Sequence, residues 1–352
     1  MAVQETVYTS VSDVIAGLVR DFSQATKSVV LEVYILEFGD LAEPLLSAMT
    51  AAAARGVRCS LQVDSFGSPG FFGDRVDALQ KAGVMVRVYR PVPWNFRHWR
   101  LAKRLTGKFR LQRRDHRKLA AIDGRTIWVG SMNISDTMKD WSEIALRTVF
   151  DEEVATFSAD GSTVFKENVL GPKGPVRINT TRALRRELYR DLFFRIMEAK
   201  KRVWIVSPYF APGHSLFRRL LRAARRGCDV RLIVPKTSDV FFFPWVTMQY
   251  YHLLAHHRVQ VYEYRPAMLH AKAVWIDGWS AVGSTNWNHR SFIHDLELDL
   301  VAQRPETVVT LEKHLEKLIS DSDRVEVRKW TALSHLKRSI GVLLYRIFRY
   351  II

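Results

Sequence analysis

Apolar residues recur at Val11, Val14, Ile15, Leu18 and Phe22, the 3.6-residue spacing that lines one face of a helix over Val11 to Ala25. A buried strand is predicted at Ser28 to Leu36, then a helix from Leu41 to Arg55 stopped by Gly56, and a strand from Val57 to Asp64. A helix over Asp74 to Ala82 ends at Gly83, and Val84 to Tyr89 reads as strand. Strands alternating with helices of this length predict an α/β fold whose sheet is largely parallel and covered on both faces.

The order then repeats. Thr181 to Lys200 reads as helix, Val203 to Ser207 as strand, His214 to Arg226 as helix stopped by Gly227, and Val230 to Pro235 as strand. Between the halves lies Gly171-Pro172-Lys173-Gly174-Pro175, which neither helix nor strand tolerates. The expected organisation is an N-terminal lobe over residues 1–170, a linker over 171–180, a C-terminal lobe over 181–329 and a basic amphipathic helix over 330–352. As an internal duplication, the lobes are expected to pack about a pseudo-twofold axis around one shared cleft, neither lobe being competent alone.

Each half carries the same polar phrase. His116-Arg117-Lys118, Asp123 and Gly130-Ser131-Met132-Asn133 are matched by His270-Ala271-Lys272, Asp277 and Gly283-Ser284-Thr285-Asn286. In both, the turn of a hairpin falls at Asp-Gly, and a glutamate, Glu143 or Glu297, stands 27 positions beyond the histidine. A single H-x-K before such a turn is commonplace and reads as an exposed strand end. Two copies with matching Asp, Gly-Ser-x-Asn and Glu indicate chemistry. Ammonium and amide donors neutralise phosphoryl oxygens, while imidazole serves as nucleophile or proton carrier, a combination that needs no metal or other cofactor. Two imidazoles flanking one phosphodiester imply double displacement through a covalent phosphohistidine.

Composition narrows the partner. The 352 residues include 53 Lys and Arg against 36 acidic residues, a net charge of +17, which points to an anionic partner, nucleic acid or an acidic membrane. An apolar content of 47% excludes a disordered chain. Cys59 and Cys228 are read as buried, free and similarly placed in the two halves, with a disulfide between them as the alternative. Met1 to Ser10 lacks the features of a signal peptide, and no apolar run reaches the roughly 18 residues of a membrane span, so any membrane contact is expected at the surface. Three stretches could supply it. Arg90 to Arg114 mixes Trp94, Phe96, Trp99 and Phe109 with cations; Phe241-Phe242-Phe243-Pro244-Trp245 is an aromatic cluster at a loop or helix start; and Leu333, Leu336, Ile340, Leu343, Leu344, Ile347 and Ile351 alternate with Lys337, Arg338, Arg346 and Arg349. Aromatics among cations also suit stacking on single-stranded nucleic acid.

The duplicated H-x-K-x4-D motif resembles that of the phospholipase D superfamily. Flanking phrases such as Leu31-Glu32-Val33-Tyr34, Asp64-Ser65-Phe66-Gly67-Ser68 and Tyr209-Phe210-Ala211-Pro212-Gly213 are similar to those of the bacterial cardiolipin synthases, closest to the B type. One departure lies near Asn288, where the resemblance would place an acidic residue. The resemblance implies two phospholipase D-type α/β/α lobes and phosphatidyl transfer between two phosphatidylglycerol molecules, giving cardiolipin and glycerol. His116 is then the nucleophile and His270 the acid and base. Lys118, Lys272, Asn133 and Asn286 would bind phosphoryl oxygens, with Ser131 and Ser284 as further candidates; Glu143 and Glu297 would orient the imidazoles; Asp123 and Asp277 would hold the hairpin geometry. It also implies a peripheral protein on the cytoplasmic face of a bacterial inner membrane, with phosphatidylglycerol and anionic lipid as partners and no nucleic acid. A phosphodiester hydrolase acting on phospholipid or nucleic acid, and a non-catalytic binding module, are the alternatives.

Overall fold

The computed structural model describes residues 1–91 and 113–348. Trp94, Phe96, Trp99 and Phe109 lie outside the described residues, as do Arg349, Ile351 and the side chain of Ile347.

An edge strand β1 (Ala2–Tyr8) precedes α1 (Val11–Gln24), β2 (Ser28–Val33), α2 (Glu43–Ala54), β3 (Arg58–Asp64), α3 (Asp74–Lys81), β4 (Val84–Tyr89), β5 (Leu119–Ile122), β6 (Thr126–Gly130) and β7 (Ala145–Phe150). These strands form one sheet in the order β1-β7-β6-β5-β2-β3-β4. After a small hairpin of β8 (Ala155–Phe157) and β9 (Thr163–Phe165) comes β10 (Val176–Ile178), then α4 (Arg182–Glu198), β11 (Arg202–Val206), α5 (His214–Arg225), β12 (Asp229–Pro235), α6 (Phe243–His256) and β13 (Gln260–Tyr264). The chain continues through β14 (Ala273–Ile276), β15 (Trp279–Gly283), α7 (His289–Ile293), β16 (Leu298–Val301), α8 (Pro305–Ser320), β17 (Ser322–Arg324) and α9 (Ala332–Phe348). The second sheet runs β10-β16-β15-β14-β11-β12-β13-β17, so seven strands of each sheet share one order and the duplication extends to topology.

Helix starts follow the capping residues: Ser10 accepts from the Asp13 amide at α1 and Thr181 from the Leu184 amide at α4. Both Asp-Gly turns form as read. Asp123 and Gly124 have φ of 52° and 68°, Asp277 and Gly278 of 47° and 91°, the left-handed pair that a two-residue hairpin requires. These hairpins correct the expectation of a largely parallel sheet. Only β2-β3-β4 and β11-β12-β13 are parallel; β5 and β6, like β14 and β15, are joined by tight turns that reverse direction, and these strands with β7 and β16 pair antiparallel.

Alternation along the strands divides the core into layers. Val29, Leu31 and Val33 of β2 face α1, α2 and α3, and Val203 and Ile205 of β11 face α4, α5 and α6. The opposite faces meet: Val30, Ile127, Val129 and Leu146 pack in one cluster with Trp204, Val206, Val282 and Leu298. Eight such side chains, at roughly 1.5–3 kcal/mol each, are worth on the order of 10–20 kcal/mol, as much as an ordinary domain's whole stability. A half cut from its partner loses that cluster.

Three placements refine the sequence reading. Val176–Ile178, within the stretch read as linker, pairs with β16. Cys59 and Cys228 are free and buried but not equivalent: β3 pairs Cys59 with Val29, whereas β12 pairs Val230 with Val203, so the cysteines stand two positions out of register. The Phe241 to Trp245 cluster opens α6, and α9 lies against that helix.

Candidate active site

Each H-x-K segment ends where its hairpin begins, Lys118 immediately before β5 and Lys272 immediately before β14. The segment is tied to the opposite lobe. The His116 amide donates to the Leu296 carbonyl at 3.0 Å, and the His270 amide donates to the Ser142 carbonyl at 2.9 Å. The residue following each acceptor is a glutamate, so each histidine meets the glutamate of the other half. His116 Nδ1 lies 3.1 Å from both carboxylate oxygens of Glu297, and His270 Nδ1 lies 2.7 Å from Glu143 Oε1. Among the described residues, this crossing leaves each Nε2 as the free end of a carboxylate-oriented imidazole.

The other motif residues support these two dyads. Ser131 donates to Glu143 and accepts from the Ile144 amide; Ser284 donates to Glu297 and accepts from the Leu298 amide. The serines therefore brace the glutamates. Lys118 and Lys272 are buried and each donates to the carbonyl of its own histidine at 2.7 Å. Asn133 and Asn286 are also buried. Asn133 Oδ1 accepts from the Ile35 amide, while Asn286 Oδ1 has no hydrogen-bond partner among the described residues. Asp123 and Asp277 stand at the far end of the hairpins. Asp123 accepts from the amides of Thr26, Lys27 and Ser28, and Asp277 from those of Lys200, Lys201 and Arg202, pinning the turn to the start of the central strand.

Burial sets the charges. It pushes His116 well below the ordinary imidazole value, with Lys118 and Lys272 adding to the effect. It also lowers His270, against the opposing pull of Glu143. Burial brings Lys118 down to about 8 and Lys272 down to about 7, the nearby glutamates opposing it in both. The glutamates differ. Glu297 is pushed up to about 7 by burial, whereas at Glu143 burial is outweighed by His270 and Lys272, and the carboxyl falls below its usual range. His116 thus faces a carboxyl that shares protons near neutrality, and His270 faces a settled anion.

The family model for the cardiolipin synthase, PLD-like domain matches residues 18–159 and 192–319. The chain belongs to this family. Cardiolipin synthase B of Salmonella typhimurium is 31% identical over 323 residues, covering 84% of this chain and 76% of that protein. Cardiolipin synthase A of Klebsiella pneumoniae is 27% identical over 367 residues, covering 96% and 73%. Among solved structures, phosphatidylserine synthase of Haemophilus influenzae superposes with a TM-score of 0.70 at 13% identity, covering 100% of this chain and 97% of that one, and carries the likeness of fold alone. The resemblance read from the motif pair and the α/β class read from the alternation of strands and helices are borne out, and the enzyme class is that of a phosphatidyltransferase of the phospholipase D superfamily.

Within this cardiolipin synthase-type site are residues that the motif reading missed. Tyr34 stands edge-on to His116 at 5.0 Å between ring centres and lies 5.2 Å from the Lys118 ammonium; Trp141 does the same for His270 at 5.2 Å. Tyr209 lies 6.3 Å from His270 and donates to Asp239 at 2.7 Å. Tyr34 directly follows β2, at the carboxyl end of a parallel strand, where α/β sheets bind ligands; that position could have flagged it. Arg117, between His116 and Lys118, turns into a buried network with Asp115 and Glu32, and Arg114 pairs with Asp64 at 2.7 Å. The second copy has Ala271 in place of Arg117, so this brace belongs to the first half alone. The departure at Asn288 is structurally neutral: its side chain accepts from the Ser291 amide and caps α7, a task Asn and Asp perform equally.

Proposed function

We propose that the chain transfers the phosphatidyl group of one phosphatidylglycerol to a second, forming cardiolipin and glycerol through a phosphohistidine at His116. The observation that carries this reading is the pair of crossed His–Glu dyads, each beside a buried lysine. In the first step His116 Nε2 attacks phosphorus, the P–O bond to glycerol breaks, and His270 gives its Nε2 proton to the departing alkoxide. In the second, His270 takes the proton of the acceptor's primary hydroxyl, that oxygen attacks phosphorus, and the P–N bond to His116 breaks. The assignment of roles rests on the difference between the two imidazoles: burial lowers both, but the anion Glu143 opposes it at His270, whereas Lys118 and Lys272 add to it at His116, which is held neutral, as a nucleophile must be. The His116 side chain also keeps 12% exposure against 3% for His270, which favours attack on an incoming phosphodiester. Lys118, Lys272, Asn133 and Asn286 would hold the non-bridging oxygens, and Tyr34 would close the nucleophile's side.

The proposed substrate is a bilayer lipid, so the enzyme is proposed to work at a membrane surface, on the cytoplasmic face that the resemblance to the bacterial synthases implies; no described helix is long and apolar enough to cross a membrane. The test is to incubate the purified protein with phosphatidylglycerol vesicles and identify products by mass spectrometry. Cardiolipin and glycerol are expected, lost in His116→Ala and His270→Ala, with a phosphatidyl adduct on the His116 peptide. Phosphatidic acid as sole product would make the protein a hydrolase, and an adduct on His270 would reverse the roles.

A further inference from the structure

We propose that α6 and α9 form a docking platform for an anionic lipid bilayer, placing the His270 side of the cleft at the membrane surface. The proposal rests on the reading of a bilayer phospholipid as substrate and adds the surface that meets it. Helix α9 is fastened to the body along a narrow strip. Trp330 meets Tyr251 and His252, His335 stacks on His252, and Leu344 and Tyr345 join Phe243 and Val246. At Gly341 the helices approach so closely that a Cβ would lie 1.9 Å from the Trp245 carbonyl oxygen, so only glycine allows this contact.

That strip leaves the most apolar positions of α9 outside. Leu333, Leu336 and Leu343 are 57%, 56% and 58% exposed, and they stand at the three- and four-residue spacing that, with half-buried Ile340, makes one continuous stripe. Phe241, 72% exposed, extends the apolar surface from α6: its ring packs on Trp245, whose backbone touches Gly341. A helix that only completed the fold would turn these side chains inward.

Charge identifies what covers the stripe. From Val327 to the C-terminus the sequence holds Arg328, Lys329, Lys337, Arg338, Arg346 and Arg349 and no acidic residue. A second copy docked on this face would bring cations against cations, whereas an acidic leaflet neutralises them while its acyl region accepts the leucines. The platform adjoins the chemistry through Tyr209, whose ring meets Phe243 at 4.9 Å on one side and His270 at 6.3 Å on the other. Glycerol leaves and the second lipid enters on the His270 side, so this is where lipid exchange with a bilayer is needed.

The test floats the full chain with vesicles of phosphatidylcholine alone or mixed with phosphatidylglycerol. Binding at least tenfold tighter to the mixed vesicles is expected. The double variant Leu336→Glu, Leu343→Glu should lose that binding at least tenfold while keeping cardiolipin formation from short-chain phosphatidylglycerol dispersed in detergent. Equal flotation of variant and wild type overturns the proposal. So does a wild-type dimer in analytical ultracentrifugation that the double variant dissolves, since a second copy would then own the stripe. If the wild type floats and the variant does not, but neither makes cardiolipin from dispersed lipid, the docking surface stands and the reaction reading falls.

Discussion

Replacing Lys272 by Met should make the protein more stable and the site inactive. The Lys272 ammonium is buried, and burial holds its pKa at about 7 instead of the ordinary 10.5, a net displacement that already contains the attraction of Glu143 and Glu297. At about 1.4 kcal/mol per pH unit, the charged form is disfavoured in the folded protein by about 5 kcal/mol relative to the unfolded chain. Met keeps the length and volume of the side chain and removes the charge. Between pH 7 and 10.5 the unfolded chain binds a proton that the folded one does not, so the wild type gains stability as pH rises through that interval. The penalty is complete only below the folded value. Denaturant unfolding should therefore find Lys272→Met more stable by about 5 kcal/mol at pH 6 and by about 2 kcal/mol at pH 9. Cardiolipin formation should fall by several orders of magnitude at both. A variant no more stable than the wild type at pH 6, or a stability gap unchanged at pH 9, would refute the claim that this ammonium is held against its desolvation.

The crossed dyads predict that Glu143→Gln and Glu297→Gln each lower kcat by about 10^3- to 10^4-fold, as loss of a histidine-orienting carboxylate does elsewhere, without changing the unfolding midpoint by much. With Glu297 at about 7 and Lys118 at about 8, the pH profile of kcat/KM should be a narrow bell, and Glu297→Gln should abolish its acidic limb; an acidic limb that survives would assign that titration elsewhere. Asp123→Ala frees three backbone amides and should cost about 2–4 kcal/mol of stability in thermal unfolding, with activity at low temperature largely kept. Asn288→Asp should leave both stability and product ratio unchanged, because either side chain caps α7.

Much of the fold could be read along the chain because its signals are local. Helix spacing placed α1, α2, α4 and α5 within a residue or two at most ends, and each Asp-Gly pair fixed a turn. What escaped depends on partners far away. Nothing around Ala2–Tyr8 marks it as the strand beside β7, and Val176–Ile178 is too short to announce itself before β16 holds it. The aromatic cluster hid α6, since Phe241 to Trp245 interrupts the amphipathic pattern that follows. At the site, repetition exposed every motif residue but not the wiring: Glu297 is 181 positions from His116 and Glu143 is 127 from His270, and no local spacing tells which glutamate serves which histidine. Tyr34 and Trp141 occur once each, so a search for repeats passes over them.

The exchange of glutamates between the halves carries a consequence for ancestry. A gene for one half encodes a histidine whose carboxylate partner is supplied only by another copy, so before duplication and fusion the unit could have functioned only as a pair of identical chains. After fusion the two copies became free to drift apart in everything except this reciprocal debt. Under the proposed mechanism, loss of one glutamate would silence the histidine of the other half, which ties the two copies together at four residues while leaving Arg117, Tyr34 and Trp141 free to appear on one side only.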